Sequence, residues 1–282
     1  MHIVRFRNDR NIRMYGIQKN NVIRALDGDI FGRFSDTGID VSAEKVKILS
    51  PVPHPNKIIG VGLNYRKHVE EWAEKMGKTV KSIIPEEPVI FLKPPTTRIG
   101  NFGEIELPQV SNEVEFEAEL AVIIGKECRN VKKDEGLKAV FGYTCANDVT
   151  ARDIQRKDGQ WTRAKGFDSF CPLGPGIVLQ KGYDISGWNV DFPMNDIHVI
   201  SHPNQLHVQG KLNNTVCQDF HTSDMIFSVE EIIAYISGVM SLYPGDIILT
   251  GTGIGSQKLK HGVNVEIEIE KIGLLSNRVI QK

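Results

Sequence analysis

Residues 113–124 read Glu113-Val-Glu-Phe-Glu-Ala-Glu-Leu-Ala-Val-Ile-Ile124, and the class of fold turns on how this stretch is read. Acidic and apolar residues alternate through its first half. That is the period of a β-strand, in which residues two apart share a face. Glu113, Glu115, Glu117 and Glu119 then line one side, and Val114, Phe116, Ala118 and Leu120 the other. From Ala121 to Ile124 the chain is apolar on both faces, so the strand is expected to run into a core. A solvated sheet face is the plain reading of such alternation, but a row of like charges repels itself unless a cation or good hydration relieves it. Glu117 and Glu119 lie nearest the buried end. A buried carboxylate pair needs a partner, and a divalent cation is the natural one.

Downstream, the apolar run VFGYTCAN (140–147) ends on Asp148, just before Thr150-Ala-Arg-Asp153, where a helix is expected to begin. An aspartate there suits a helix N-terminus, so capping and metal ligation are both open to it. With Glu117 and Glu119 it would complete an all-oxygen set, free of Cys and His, that fits Mg²⁺ or Mn²⁺ rather than zinc.

Upstream, residues 2–26 alternate apolar and polar positions and are interrupted by polar turns at 8–11 and 18–21, the pattern of a β-meander. Pro51, Pro53 and Pro55 punctuate the chain, and a small N-terminal β unit (residues 1–55) is expected before a larger domain (56–282). Within the latter, KIIGVGLN, VIFLK, GIVLQ, DIILTGT and VNVEIEIEKIG read as further strands. Helices are expected at YRKHVEEWAEKMGK, stopping at Gly77, after Thr150, and at SVEEIIAYISGVM. Strands dominate without regular β–α alternation, so the class is α+β, mostly β, and a doubly wound sheet is excluded.

Composition narrows the function. The chain has 282 residues, 40% hydrophobic and 24% charged, with 34 Lys plus Arg against 35 Asp plus Glu. No global field draws it to nucleic acid or an anionic membrane. The first residues, MHIVRFRNDR, lack the apolar core of a signal peptide, and a cytoplasmic protein is expected. Cys128, Cys145, Cys171 and Cys217 are widely spaced and read as reduced, buried thiols. Gly251-Thr-Gly-Ile-Gly-Ser256 invites a dinucleotide loop, but the third glycine is missing and the next segment alternates like a strand. His198, His202 and His207 lack the partners zinc needs and read as loop histidines.

Several blocks, FEAELAVIIGK, GYTCANDVTARDIQ, WTRAKGFDSFCPLGP, TSDMIF and PGDIILTGTG, resemble the fumarylacetoacetate hydrolase superfamily in order and spacing, and the N-terminal VRFR…YGI…LDGDIF resembles the small leading β unit of many members. The resemblance implies a mixed β-sandwich roll, a homodimer and a Mg²⁺ or Mn²⁺ site. Its Glu-x-Glu pair falls on Glu117 and Glu119, its third carboxylate on Asp148, and its lysine on Lys165. Arg152, Gln155 and Thr252 fall on positions that bind substrate. NYRKHVEE is similar to the family's NYxxHxxE string, which makes His68 and Glu71 a candidate acid/base pair; three apart on a helix, they share a face. Two departures stand out: Gly251-Thr-Gly-Ile-Gly255 where relatives read GTPxG, and a long stretch between Gly182 and Gly210 that matches no pattern.

The chemistry so implied is cation-assisted stabilisation of an enolate from a small 2-oxo acid. Lys165 and Arg152 would add positive charge, and Gln155 and Thr252 would hold the substrate carboxylate. Expected reactions are hydrolysis of an acylpyruvate, with His68 activating water and Glu71 orienting it, or decarboxylation of oxaloacetate. The alternative is isomerisation or decarboxylation of an unsaturated dioate. A binding protein without turnover is the rival class, and the joint presence of His68, Glu71 and Lys165 argues against it.

Overall fold

The stretch read first as one strand becomes two, and the break between them places the site. The computed structural model describes residues 2–75, 77, 79–80, 84–190 and 198–281. Strands β1 (His2–Arg7), β2 (Arg13–Lys19), β3 (Val22–Gly28) and β4 (Phe34–Ser42) form the expected antiparallel meander, followed by β5 (Lys47–Leu49). Strand β6 (Ile58–Gly62), helix α1 (Arg66–Lys75) and β7 (Val89–Lys93) come next. Short strands β8 (Arg98–Ile99), β9 (Glu104–Leu107) and β10 (Val114–Glu115) precede β11 (Ala118–Ile124) and β12 (Val140–Asn147). Then follow β13 (Thr150–Ala151), helices α2 (Arg152–Asp158) and α3 (Trp161–Lys165), and β14 (Cys171–Gln180). The remainder comprises β15 (Trp188–Asn189), β16 (Val199–Ile200), β17 (His207–Leu212), β18 (Thr215–His221), helix α4 (Val229–Val239), β19 (Ile247–Leu249), β20 (Asn264–Ile269) and β21 (Gly273–Gln281).

Among the described residues the larger sheet runs β15-β4-β3-β2-β1-β14-β12-β11-β19-β6-β7, and a five-stranded sheet runs β18-β17-β20-β21-β9. Both faces of β11 are buried. Leu120, Val122 and Ile124 share a core with Val208, Val265, Ile267 and Leu275 of the smaller sheet. Ala121 and Ile123 point the other way, into a core with Ile3, Ile17 and Leu26 of the N-terminal strands. The apolar run on both faces is thus satisfied by a layer on each side. The N-terminal meander joins the larger sheet where β1 meets β14, at Ile3 opposite Ile177. Few helices and mixed sheets make the protein mostly β, as the sequence led us to expect. No helix among the described residues is long and apolar enough to cross a membrane.

Several local expectations need correction. Strand β10 pairs with β13, while β11 pairs with β12 and β19, so the chain changes partners at Phe116–Glu117. Across this crossing the backbone N–H groups find other acceptors: Phe116 donates to Gln257 O, Glu117 to Asn147 Oδ1 (3.0 Å) and Ala118 to Gln218 Oε1 (2.9 Å). Helix α2 begins at Arg152, after a short strand, with Ala151 at its N-cap, so Asp148 does not cap it. His207 opens a strand instead of lying in a loop. The β17–β18 hairpin turns on Asn213 and Asn214, both at positive φ (47° and 67°), the turn chemistry of a two-residue hairpin loop. Residues 72–88, which their loop-like sequence after the His68 helix leads us to expect as a lid over the site, and the segment 183–210 both include residues outside those described (76, 78, 81–83 and 191–197).

Candidate active site

Glu117, Glu119 and Asp148 come together where β11 begins and β12 ends. Each offers an oxygen within 4.8 Å of the others, and all three are buried. Pairing of Ala118 with Asn147 in the β11–β12 ladder sets this meeting, and Asp148 N–H donates to Glu117 O (3.0 Å). The acidic row is graded in exposure: the Glu113 and Glu115 side chains are 37% and 22% exposed, that of Glu117 only 5%. This is the order expected from the apolar end of the stretch.

Cations interleave with the row and relieve its repulsion. Arg156 pairs with Glu113. Arg152 reaches Glu115 through Nε (2.8 Å), Glu117 through Nη2 and Gln155 Oε1 through Nη1 (3.0 Å). Ser256 Oγ also donates to Glu115 (2.7 Å). Lys165 Nζ donates to Glu117 Oε2 (2.8 Å), to Thr150 Oγ1 (2.8 Å) and to Asp148, and lies 4.8 Å above the Phe91 ring. Lys93 Nζ, with a side chain 0% exposed, donates to the other oxygen of Asp148 (2.6 Å) and to Val149 O (3.3 Å).

These fields set protonation. Burial opposes the charge of Glu117, but Arg152 and Lys165 outweigh it and hold this carboxyl well below the usual range. Glu119 goes the other way: burial, then the charges of Asp148 and Glu117, push it well above that range, while Gly251 N–H donates to it (2.7 Å). Burial works against the charge of Lys165, yet Asp148 and Glu117 raise its pKa.

His68, on α1, lies close enough to feel Glu117, Arg152 and Lys165. Burial lowers its pKa, with Glu117 and Glu71 opposing as nearby negative charges, and no hydrogen bond reaches its Nδ1. Thr252 is anchored: its hydroxyl donates to Ala118 O (2.8 Å) and accepts from Gln218 Nε2 (2.9 Å). Gln155 accepts from Arg152. The cysteines stand apart from this chemistry. Cys145 and Cys171 are buried, and burial pushes both thiols up, Cys171 to about 12.

Sequence reasoning missed Lys93, Asn147 and Gln218. Lys93 closes the apolar strand VIFLK directly before Pro94, where a lysine ordinarily reads as a solvated strand end. Asn147 and Gln218 serve the backbone at the strand break, which no local pattern announces.

Residues 57–280 match the fumarylacetoacetate (FAA) hydrolase C-terminal family, and residues 1–51 match an Rv2993c-like N-terminal family. The chain is 37% identical over 248 residues to the mitochondrial oxaloacetate tautomerase Fahd2a of Rattus norvegicus, covering 85% of this chain and 71% of that protein. The crystal structure of 2-hydroxyhepta-2,4-diene-1,7-dioate isomerase from Mycobacterium marinum superposes with a TM-score of 0.82 at 36% identity, covering 100% of this chain and 99% of that one. Maleylpyruvate hydrolase from Sphingobium sp. SYK-6, solved with manganese(II) and pyruvate, gives a TM-score of 0.76 at 27% identity, with 100% and 99% covered. With a family match spanning the whole site and relatives alike along most of its length, the chain belongs to the fumarylacetoacetate hydrolase family.

Proposed function

We propose that this protein is a divalent-metal-dependent enzyme that takes a small 2-oxo acid through its enolate, with Glu117, Glu119 and Asp148 holding the cation. The buried triad carries this reading, because its converging oxygens come with compensating cations already in place. Three carboxylates without sulfur or imidazole suit Mg²⁺ or Mn²⁺. The manganese and pyruvate found with the maleylpyruvate hydrolase relative support the same choice. When bound, such a cation supplies Lewis-acid stabilisation of negative charge on the 2-oxo oxygen.

The chain's own residues do the rest. His68, kept neutral by burial, is the base that removes or returns the C3 proton. Lys165 places a fixed positive charge beside the developing enolate. Arg152 fixes Glu117 and, through Gln155, the polar edge of the site. Thr252, pinned by Ala118 and Gln218, sets the loop that faces the substrate carboxylate.

Proton transfer at C3, the chemistry of an isomerase or tautomerase, is the reaction we favour, since it needs one base and no oriented water. Carbon–carbon cleavage, by hydrolysis of an acylpyruvate or decarboxylation of oxaloacetate, is the second reading; the nearby charge of Glu71 on His68 favours it. The test is product analysis by NMR of Mg²⁺-loaded wild type and His68→Ala on an acylpyruvate, enol-oxaloacetate and 2-hydroxyhepta-2,4-diene-1,7-dioate. Isomerisation by wild type, lowered about 10²–10⁴-fold in the variant, is expected. Consumption of none of the three by wild type contradicts both readings.

A further inference from the structure

The N-terminal meander carries a row of positive charge that the chemistry at the triad leaves without a role. Arg5 and Arg7, two apart on β1, share a face, and their partners on the neighbouring strands share it with them. Arg5 stands opposite Tyr15 on β2 and Leu49 on β5. Arg7 stands opposite Arg13 on β2 and Lys47 on β5, so three cations run side by side across three strands. Like charges directly opposite one another destabilise a sheet. The acidic row at 113–117 is relieved by Arg152 and Arg156. This basic row is not: Arg5, Arg7, Arg13 and Lys47 make no ion pair or side-chain hydrogen bond among the described residues.

The larger domain adds a fifth cation. Arg98, on β8, donates through Nη1 to Val52 O (3.2 Å), and the Tyr15 hydroxyl donates to the adjacent Pro51 O (3.0 Å). Both side chains are thus anchored on neighbouring carbonyls of the segment that joins the N-terminal unit to the rest, with Arg5 beside Tyr15 in the β1–β2 ladder. Arg98 is half-buried, and its Nε is buried without a hydrogen-bond partner. An unpaired guanidinium N–H in that position is costly, and a ligand that accepts from it removes the cost. Burial, then the charge of Arg5, lowers the pKa of Arg98. Asp29 is the acid within range of Tyr15, and its Oδ1 already accepts from Phe31 N–H (3.0 Å).

The size of the row selects its partner. Two strand spacings span about 10 Å, and two residues along β1 span about 7 Å. That area faces one or two phosphoryl groups, whereas a nucleic acid needs a longer track of cations. Arginine forks also match phosphate oxygens in pairs, and the Nε–Nη2 edge of Arg98 is unspent.

We propose that Arg5 and Arg98, with Arg7, Arg13 and Lys47 around them, form a binding site for the phosphate or diphosphate group of a small molecule, at the seam between the N-terminal β unit and the larger domain. Arg5 and the free edge of Arg98 donate to the phosphoryl oxygens. Arg7, Arg13 and Lys47 supply charge, and Tyr15, its proton spent on Pro51, forms a wall. Asp29 opposes the anion. No residue of the triad belongs to this site.

The test is calorimetric titration of the full chain at low ionic strength, with inorganic phosphate in Mg²⁺ and again in chelator, and with diphosphate in chelator. We expect phosphate to bind equally with and without Mg²⁺, and diphosphate to bind about tenfold or more tighter. Arg5→Met and Arg98→Met, which keep the apolar stem, should each weaken diphosphate about tenfold or more. Arg7→Met should raise the melting temperature in anion-free buffer, because it relieves the row, and should weaken diphosphate, which a merely solvated row would not give. Absence of binding by either anion overturns the site. Phosphate binding that requires Mg²⁺ also overturns it, since the anion then sits at the triad. So does diphosphate binding unchanged in both Arg5→Met and Arg98→Met. A single strand of about ten nucleotides binding wild type about a hundredfold or more tighter than diphosphate would make the row a polyanion surface and overturn a small-molecule site.

Discussion

Lys165 Nζ lies 2.8 Å from Glu117 Oε2 and also donates to Asp148, so one ammonium bridges two of the three carboxylates that face each other at the site. A cation therefore already sits against the triad, supplied by the chain. Lys165→Met leaves Glu117 and Asp148 buried without it, and losing one partner of a buried pair typically costs about 3–5 kcal/mol. The metal-free variant should melt well below wild type, and Mn²⁺ should raise its midpoint by more than it raises that of wild type. Scanning calorimetry with chelator and with Mn²⁺ measures both shifts; equal shifts in the two proteins would argue against a shared cation position.

Lys93 is the counterpart on the far oxygen of Asp148. Lys93→Met should destabilise the protein by a similar amount, about 3–5 kcal/mol, because the pair is fully buried. Lys133→Met, at an exposed pair with Glu231, should cost no more than about 1 kcal/mol. Urea denaturation of the two variants side by side checks this. A small loss for Lys93→Met would mean that water or another group replaces it.

How much of this was legible in the sequence follows from the range of each signal. Residues 118–124 declare their burial by being apolar on both faces, and the alternation of 2–26 declares a meander; both are local. Glu117 and Glu119 stood out because charge repulsion and a neighbouring apolar run pull against each other within a few residues. The strand break at Phe116–Glu117 was not legible, because it depends on β13, Asn147 and Gln218, which come from elsewhere in the chain. Lys93 was hidden for the same reason: a lysine at a strand end looks solvated until Asp148 is brought beneath it. The Asn213-Asn214 turn was a local signal that was passed over.

Acid titration should reveal the state of His68. Burial lowers its pKa, so in the folded protein it stays neutral through the range where an ordinary histidine protonates near 6.5. A base in that state should keep turnover constant down to about pH 6.5, with the histidine-dependent acid limb below that value. A pH–rate profile of kcat for wild type against His68→Asn isolates this limb. A limb centred at or above 6.5 would show that the imidazole is not held neutral.

Thiol chemistry offers an independent check on the packing. Native protein treated with iodoacetamide at pH 8 should be modified at the half-buried Cys217, more slowly at Cys128, whose thiol partial burial also raises, and spared at the fully buried Cys145 and Cys171, whose thiols burial keeps protonated. Peptide mass spectrometry reads each site. Rapid modification of Cys171 would contradict the closed core beneath the triad.

The most direct test of enolate chemistry at Glu117, Glu119 and Asp148 is exchange of the C3 protons of pyruvate in heavy water, followed by NMR with saturating Mg²⁺. Wild type should exchange them far faster than buffer with the same Mg²⁺, and Glu119→Gln, which replaces a carboxyl of the triad with an amide of the same shape, should fall to the buffer rate. Exchange by wild type no faster than the Mg²⁺ control, or equal exchange by wild type and Glu119→Gln, would contradict a metal-assisted enolate at this site.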